Sequence, residues 1–259
     1  IGAANEIGGL IVVSPNVQKV ATGYTARRAI VEDKRCNACH QELGTFTEDA
    51  FHAGQRNDGT TCSWCHTPNR ASSGWTAETG NMTHAIHGAA KRSVPYTWHS
   101  AVTPGDSFAH INYPGILARC EQCHLPGTFD FSATASANAA GLGADQIDKR
   151  QYREVASGTL SATDISLSPY VTAGVNYGAR FSFNAGTGVT TPGAGTNLVT
   201  SPTTNACVGC HDSNLAVSHM QLNGGSFYAA RSTALGIQEQ CFVCHASDRL
   251  ASIRDVHAR

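Results

Sequence analysis

The cysteines constrain this chain more than any other feature, because all of them belong to one repeated motif. Cys-x-x-Cys-His occurs five times in 259 residues and uses all 10 cysteines. Such a motif is the attachment signature of c-type haem: two thiols bond to one porphyrin edge, and the adjacent histidine becomes the proximal iron ligand. We therefore predict five covalently attached haem c groups. The attachment cysteines are Cys36, Cys39, Cys62, Cys65, Cys120, Cys123, Cys207, Cys210, Cys241 and Cys244, and the proximal histidines are His40, His66, His124, His211 and His245.

Other uses of Cys-x-x-Cys fit the pattern less well. Zinc ribbons combine these units in pairs to make four-sulfur sites, and five unevenly spaced units cannot pair off. Disulfides would not require a histidine after every second cysteine. A thioredoxin-like redox motif normally occurs once, between a strand and a helix. The repeated motif therefore favours haem over all three.

Composition excludes some partners. The formal net charge is −1 and only 14% of residues are charged, so there is no basic excess to neutralise phosphates, and we expect no nucleic-acid binding. No apolar run approaches the roughly 20 residues that span a bilayer, so we expect no transmembrane segment.

The motifs divide the chain into four parts. We expect an extended N-terminal segment at 1–30, haem motifs 1 to 3 within 31–127, and motifs 4 and 5 within 207–259. Between them lies an Ala/Gly/Ser/Thr-rich insertion at 128–206, in which we expect a β-hairpin. The predicted fold is a multihaem cytochrome c, loop-rich, with short α-helices wrapped around five haems and minor β structure.

Inside the insertion, two local patterns predict secondary structure. Residues 145–155 are predicted to form a short helix. Apolar residues alternate from Val171 to Phe183, which indicates a half-buried strand. Gly186 to Gly195 reads as a turn or loop.

Seven histidines remain after the proximal ones: His52, His84, His87, His99, His110, His219 and His257. For distal ligands we predict His52, His84, His87, His219 and His257. His84 and His87 are three residues apart and share a helical face, so they could ligate two neighbouring haems. For His99 and His110, ligand, supporting and surface roles stay open. An iron with two histidines has no open position for substrate, and without Met ligation its potential stays low.

Several short segments around the motifs resemble one known family. They are His52-Ala53-Gly54-Gln55-Arg56, Met82 to Gly88, Tyr113-Pro114-Gly115 before motif 3, and Leu198 to Pro202 before motif 4. In this order they resemble the OmcA/MtrC family of outer-membrane multihaem cytochromes of metal-respiring bacteria, over about 30–259. Family members commonly carry ten haems in two pentahaem modules, so this chain resembles one module.

The resemblance implies extracellular electron transfer at the outer-membrane cell surface. Expected partners are other cytochromes or identical subunits, and extracellular acceptors such as metal oxides or electrodes. Contact between the terminal haems of successive copies could build a conductive filament; a module of a larger cytochrome and a free monomer are the alternatives. The rival function is a multihaem reductase with one open haem site; no Cys-x-x-Cys-Lys motif occurs here, and we predict no enzyme activity.

Overall fold

Short helices joined by loops make up most of the fold. The computed structural model describes residues 29–40, 59, 61–98, 107–131, 152–184 and 186–258. The α-helices are α1 (Asp33–His40), α2 (Thr79–His87), α3 (Pro202–Cys207), α4 (Asn214–Leu222), α5 (Arg231–Ala234), α6 (Phe242–His245) and α7 (Ile253–His257). Short 3₁₀ helices cover Thr61–Trp64, Ala89–Lys91, Phe108–His110 and Cys120–Gln122. No helix within these ranges is long and apolar enough to cross a membrane.

Three small antiparallel sheets accompany the helices. Their strands are β1 (Ala71–Ser72), β2 (Trp75–Thr76), β3 (Arg153–Ala156), β4 (Ser182–Asn184), β5 (Val189–Thr191), β6 (Leu198–Thr200) and β7 (Ala229–Ala230). β1 pairs with β2, β4 pairs with β5, and β6 lies between β3 and β7. The predicted loop-rich fold with short helices and minor β structure is confirmed at this level.

The helix starts follow from local side chains. Glu78 precedes α2 and accepts a hydrogen bond from the backbone N–H of Asn81 at 3.1 Å. Ser213 caps α4 and Ser252 caps α7 in the same way. Each cap satisfies a backbone donor that has no partner inside the helix, so these short helices have defined first turns.

Buried apolar side chains form only small clusters. Trp75, Ala85 and Tyr96 make one, where β2 meets α2 and the segment that follows it. Tyr152, Val199 and Ala234 make the other, on the three-stranded sheet. No single large apolar core joins the described residues, so the loops between the clusters depend on polar contacts.

Three sequence-based predictions of local structure are wrong. Strand β5 lies inside the predicted turn or loop from Gly186 to Gly195. The end of the predicted helix 145–155 is strand β3, and 145–151 lies outside the described residues. Most of the predicted strand from Val171 to Phe183 is turn and loop, because Gly174 and Gly178 have φ of 78° and 84°. That left-handed backbone breaks a strand, so Asn176 makes only an isolated bridge with Thr159 and the first strand of this segment is β4.

Candidate haem-binding sites

Each cysteine motif forms about one helical turn. Motif 1 lies in α1, and in the other four motifs the histidine N–H donates to the carbonyl of the first cysteine. Those bonds are His66 to Cys62 at 2.9 Å, His124 to Cys120 at 2.8 Å, His211 to Cys207 at 2.8 Å and His245 to Cys241 at 2.9 Å. Positions i, i+3 and i+4 share one face of a turn, so both thiols and the imidazole of a motif point to the same side.

Four of the motif histidines lie opposite a second histidine. The ring centroids are 6.1 Å apart for His40 and His87, 5.9 Å for His124 and His84, 6.0 Å for His211 and His257, and 6.1 Å for His245 and His219. A metal–imidazole bond is about 2.0–2.1 Å and the ring nitrogen lies roughly 1.1 Å from the centroid, so two imidazoles on opposite sides of one iron are about 6 Å apart. The four spacings fit that requirement.

Backbone carbonyls orient several of these rings through Nδ1. The Nδ1 of His87 lies 2.8 Å from the Thr83 carbonyl, and that of His257 lies 2.7 Å from the Ile253 carbonyl. His245 makes a similar contact with Ala251 at 2.8 Å. A proton held on Nδ1 leaves Nε2 as the nitrogen with a free lone pair, and a ligating histidine usually donates its other ring N–H to a carbonyl in this way.

Burial favours the neutral form of three rings. Loss of hydration lowers the pKa of His84, of His87 and of His211. A neighbouring histidine adds to the effect at each of them: His87 at His84, His40 at His87, and His257 at His211. Only a neutral imidazole can bind a metal, so the environment prepares these side chains for ligation.

His66 has different described neighbours from the other motif histidines. Its Nδ1 lies 2.7 Å from the Ala77 carbonyl, and its ring centroid is 6.4 Å from that of Trp98. Of the candidate ligands left for this motif, His52 and His99 lie outside the described residues. His110 is exposed at the end of the 3₁₀ helix Phe108–His110.

Helix α2 brings four motifs together. His87 faces motif 1 and His84 faces motif 3, one turn apart. The carbonyl of His84 also lies 3.8 Å from Cys210 Sγ in motif 4. At the start of the helix, the N–H of Thr79 donates to the carbonyl of His66 at 3.1 Å, which adds motif 2.

One face of α4 is apolar and open. Leu215 and Leu222 are 82% and 87% exposed. They lie four residues before and three residues after His219, so they share its helical face. A porphyrin plane is large and apolar. It would cover these exposed leucines, because the histidine between them faces a Cys-x-x-Cys-His turn. The residues of motif 5 and α4 therefore fit haem.

A buried ion pair anchors motif 4, and sequence reasoning missed it. Arg92 Nη2 lies 3.1 Å from Asp212 Oδ2, and both side chains are almost fully buried. Arg92 Nη1 also donates to the carbonyls of Val208 and Gly209, between the two cysteines. Asp212 accepts from the N–H groups of Ser93 and Val94. Only the position of Asp212 next to His211 hinted at a role.

Helical Cys-x-x-Cys-His turns opposed by second imidazoles define a multihaem c-type cytochrome domain. Comparison with known families agrees: residues 28–258 match the family model described as outer membrane cytochrome MtrC/MtrF-like, domains II/IV. The chain belongs to this family, as the sequence resemblance predicted. It is a haem-binding electron-transport protein of the outer membrane and cell surface. No curated protein sequence matches the chain.

Proposed function

We propose that this chain is a pentahaem electron carrier in which two histidines ligate every iron. Haem, when bound, supplies a one-electron Fe(III)/Fe(II) couple. The chain's part is to attach it through the ten cysteines, orient it through paired imidazoles and bring neighbouring sites close together. The observation that carries the proposal is the set of four histidine pairs at 5.9–6.1 Å.

The four pairs support a proposed distal ligand for each of four motifs. We propose His87 for motif 1, His84 for motif 3, His257 for motif 4 and His219 for motif 5. His52 is the sequence-based candidate for motif 2, with His99 and His110 as the alternatives. The earlier prediction that His84 and His87 serve two neighbouring haems is supported by their different partners.

Contacts between motifs suggest an order for the electron path. Motifs 1 and 3 share α2, and the isolated bridge between Val31 and His124 joins them again. Motif 4 follows through Cys210 and His84. Motif 5 follows motif 4 through α7. His257 in this helix faces His211 of motif 4, and Ala251, just before the helix, contacts His245 of motif 5. We propose the order 1–3–4–5, with motif 2 at the start of α2.

Intact-mass and spectroscopic measurements test the proposal together. We expect the mass of five haems, low-spin spectra for all of them in the oxidised protein, and no binding of CO or nitrite without denaturation. A high-spin iron that binds these ligands would contradict the carrier and favour the multihaem reductase with one open site.

The proposed carrier exchanges electrons with other cytochromes or identical subunits, and with extracellular acceptors such as metal oxides or electrodes. In the order 1–3–4–5 the first and last motifs lie at opposite ends, which suits end-to-end transfer. Such head-to-tail contacts give open helical filaments when their rotation does not close. Electron microscopy of concentrated holoprotein tests this assembly: filaments support it, and monodisperse monomers contradict it.

A further inference from the structure

A buried carboxylate holds the start of α3, the helix that leads into motif 4. Glu239 is 2% exposed. Its oxygens accept from Ser201 Oγ at 2.6 Å, from the N–H groups of Thr203 and Thr204 at 2.8 and 2.7 Å, and from Thr204 Oγ1 at 2.8 Å. Glu239 also stands two residues before Cys241, so it ties α3 to the segment that enters motif 5.

The surroundings of Glu239 supply donors but no paired cation. All four contacts are from N–H or O–H groups, which suits an ionised carboxylate, an acceptor only. The buried Asp212 and Glu154 are instead paired with Arg92 and Arg231. Among the residues that the structure describes, none of the ion pairs includes Glu239. Its negative charge is therefore stabilised by dipoles rather than neutralised.

This charge acts on the attachment site of motif 4. Thr204 lies three residues before Cys207, which is about one helical turn. Glu239 accepts from the first turn of α3, and Cys207 is the last residue of the same six-residue helix. In a buried region the field is weakly screened by solvent, so the same charge reaches a haem bonded to this sulfur.

We propose that Glu239 lowers the reduction potential of the haem attached through Cys207 and Cys210, an assignment that rests on the proposed function. Adding one electron to a ferric haem removes one unit of positive charge from the site. A fixed negative charge nearby stabilises the oxidised form more than the reduced form, and net charge is one of the factors that set haem potentials. Glu239 would thus tune the potential through its charge.

A charge-removing substitution in the holoprotein tests the proposal. In Glu239→Gln we expect the midpoint potential of the motif 4 haem to rise, with the other haems shifting less. The haem is identified by NMR contacts between its signals and the methyl groups of Val208. Glu121→Gln is the matched control, because it makes the same change inside motif 3 at a side chain that is 54% exposed, where solvent screens the charge.

Two further variants separate charge from packing. Glu239→Asp keeps the charge and shortens the side chain, so the potential should stay near that of the wild type. If Glu239→Gln does not assemble, Thr204→Val removes one hydroxyl donor and keeps the charge, and the potential should fall. An unchanged potential in Glu239→Gln, an equal rise in Glu239→Asp, or no fall in Thr204→Val would overturn the proposal. Absence of haem at Cys207 in the wild-type mass would instead contradict the proposed function.

Discussion

Removing a buried charge should lower the free energy of unfolding more than removing an exposed one. Asp212 accepts from Arg92 and from two backbone N–H groups with almost no solvent contact. In Asp212→Ala the guanidinium of Arg92 stays buried without its carboxylate, and breaking such a pair costs about 3–5 kcal/mol. We expect the free energy of unfolding of the holoprotein to fall by that amount in denaturant titrations followed by circular dichroism.

The exposed pair between Arg254 and Glu121, 3.9 Å apart, provides the comparison for Asp212→Ala. Glu121→Gln should cost about 0–1 kcal/mol, since solvent screens such pairs. Equal losses in the two variants would mean that burial does not set the contribution of the Arg92–Asp212 pair.

A histidine substitution tests the proposed ligands at the same scale. In His87→Ala the iron of motif 1 would lose its distal imidazole, because His40 faces that ring at 6.1 Å. We expect one haem to become high spin in electron paramagnetic resonance and four to stay low spin. Met82→Leu, on the same helix, should leave all five low spin. An unchanged spectrum in His87→Ala would remove this residue from the proposed ligands.

The functional residues were predictable from the sequence where spacing alone defines the site. Motif spacing marks the attachment cysteines and their histidines, and the i, i+3 relation of His84 and His87 indicates a shared face. The sequence could not pair His219 with His245, or give Glu239 its four donors. Those contacts join segments that are distant in sequence, and no local pattern encodes them.

Helix α2 and motif 4 approach each other so closely that a glycine is required between them. A Cβ on Gly209 would lie 2.6 Å from the Cβ of His84. Gly209→Ala must therefore displace α2 or motif 4, and such overpacking costs about 1–3 kcal/mol. We expect a lower melting temperature and an altered low-spin signal for the haem that His84 is proposed to ligate.

Gly186 provides the control for Gly209→Ala. Its φ is outside the left-handed region, and a Cβ there would meet only Asn184 Oδ1, at 3.4 Å. Gly186→Ala should leave both the melting temperature and the spectrum unchanged. A Gly209→Ala protein as stable as Gly186→Ala, with wild-type spectra, would show that the contact adjusts without effect.

At the scale of elements, the sequence predicted the class of structure better than its boundaries. Short helices follow from the motif turns and from caps such as Ser213 and Ser252. The predicted strand from Val171 is wrong because Gly174 and Gly178 adopt left-handed backbone conformations that the apolar alternation does not reveal. The end of the predicted 145–155 helix was wrong because its residues pair with β6, a tertiary contact. Strand pairing over such distances overrides local propensity.

At the scale of the whole molecule, the residues that the structure describes lack the apolar interior that a chain of this length would normally bury. The two clusters of the described residues each hold three buried side chains, while large apolar residues such as Leu215, Leu222 and Leu250 are 82–95% exposed. Burial of apolar surface is the dominant favourable term in folding, and about 25 cal/mol per Å² is gained from it. The proposed haems would supply the missing surface.

Folding should therefore depend on haem attachment. We expect the chain produced without haem, with all ten cysteines replaced by serine, to bind a hydrophobic dye and to show no cooperative unfolding transition in calorimetry. The holoprotein should unfold cooperatively and bind little dye. Replacing only Cys241 and Cys244 gives an intermediate case, in which α4 and α6 would lose the proposed haem of motif 5 while motifs 1 to 4 would keep theirs. A cooperative transition in the haem-free chain would show that the polypeptide core is sufficient by itself, and that the exposed leucines have another partner.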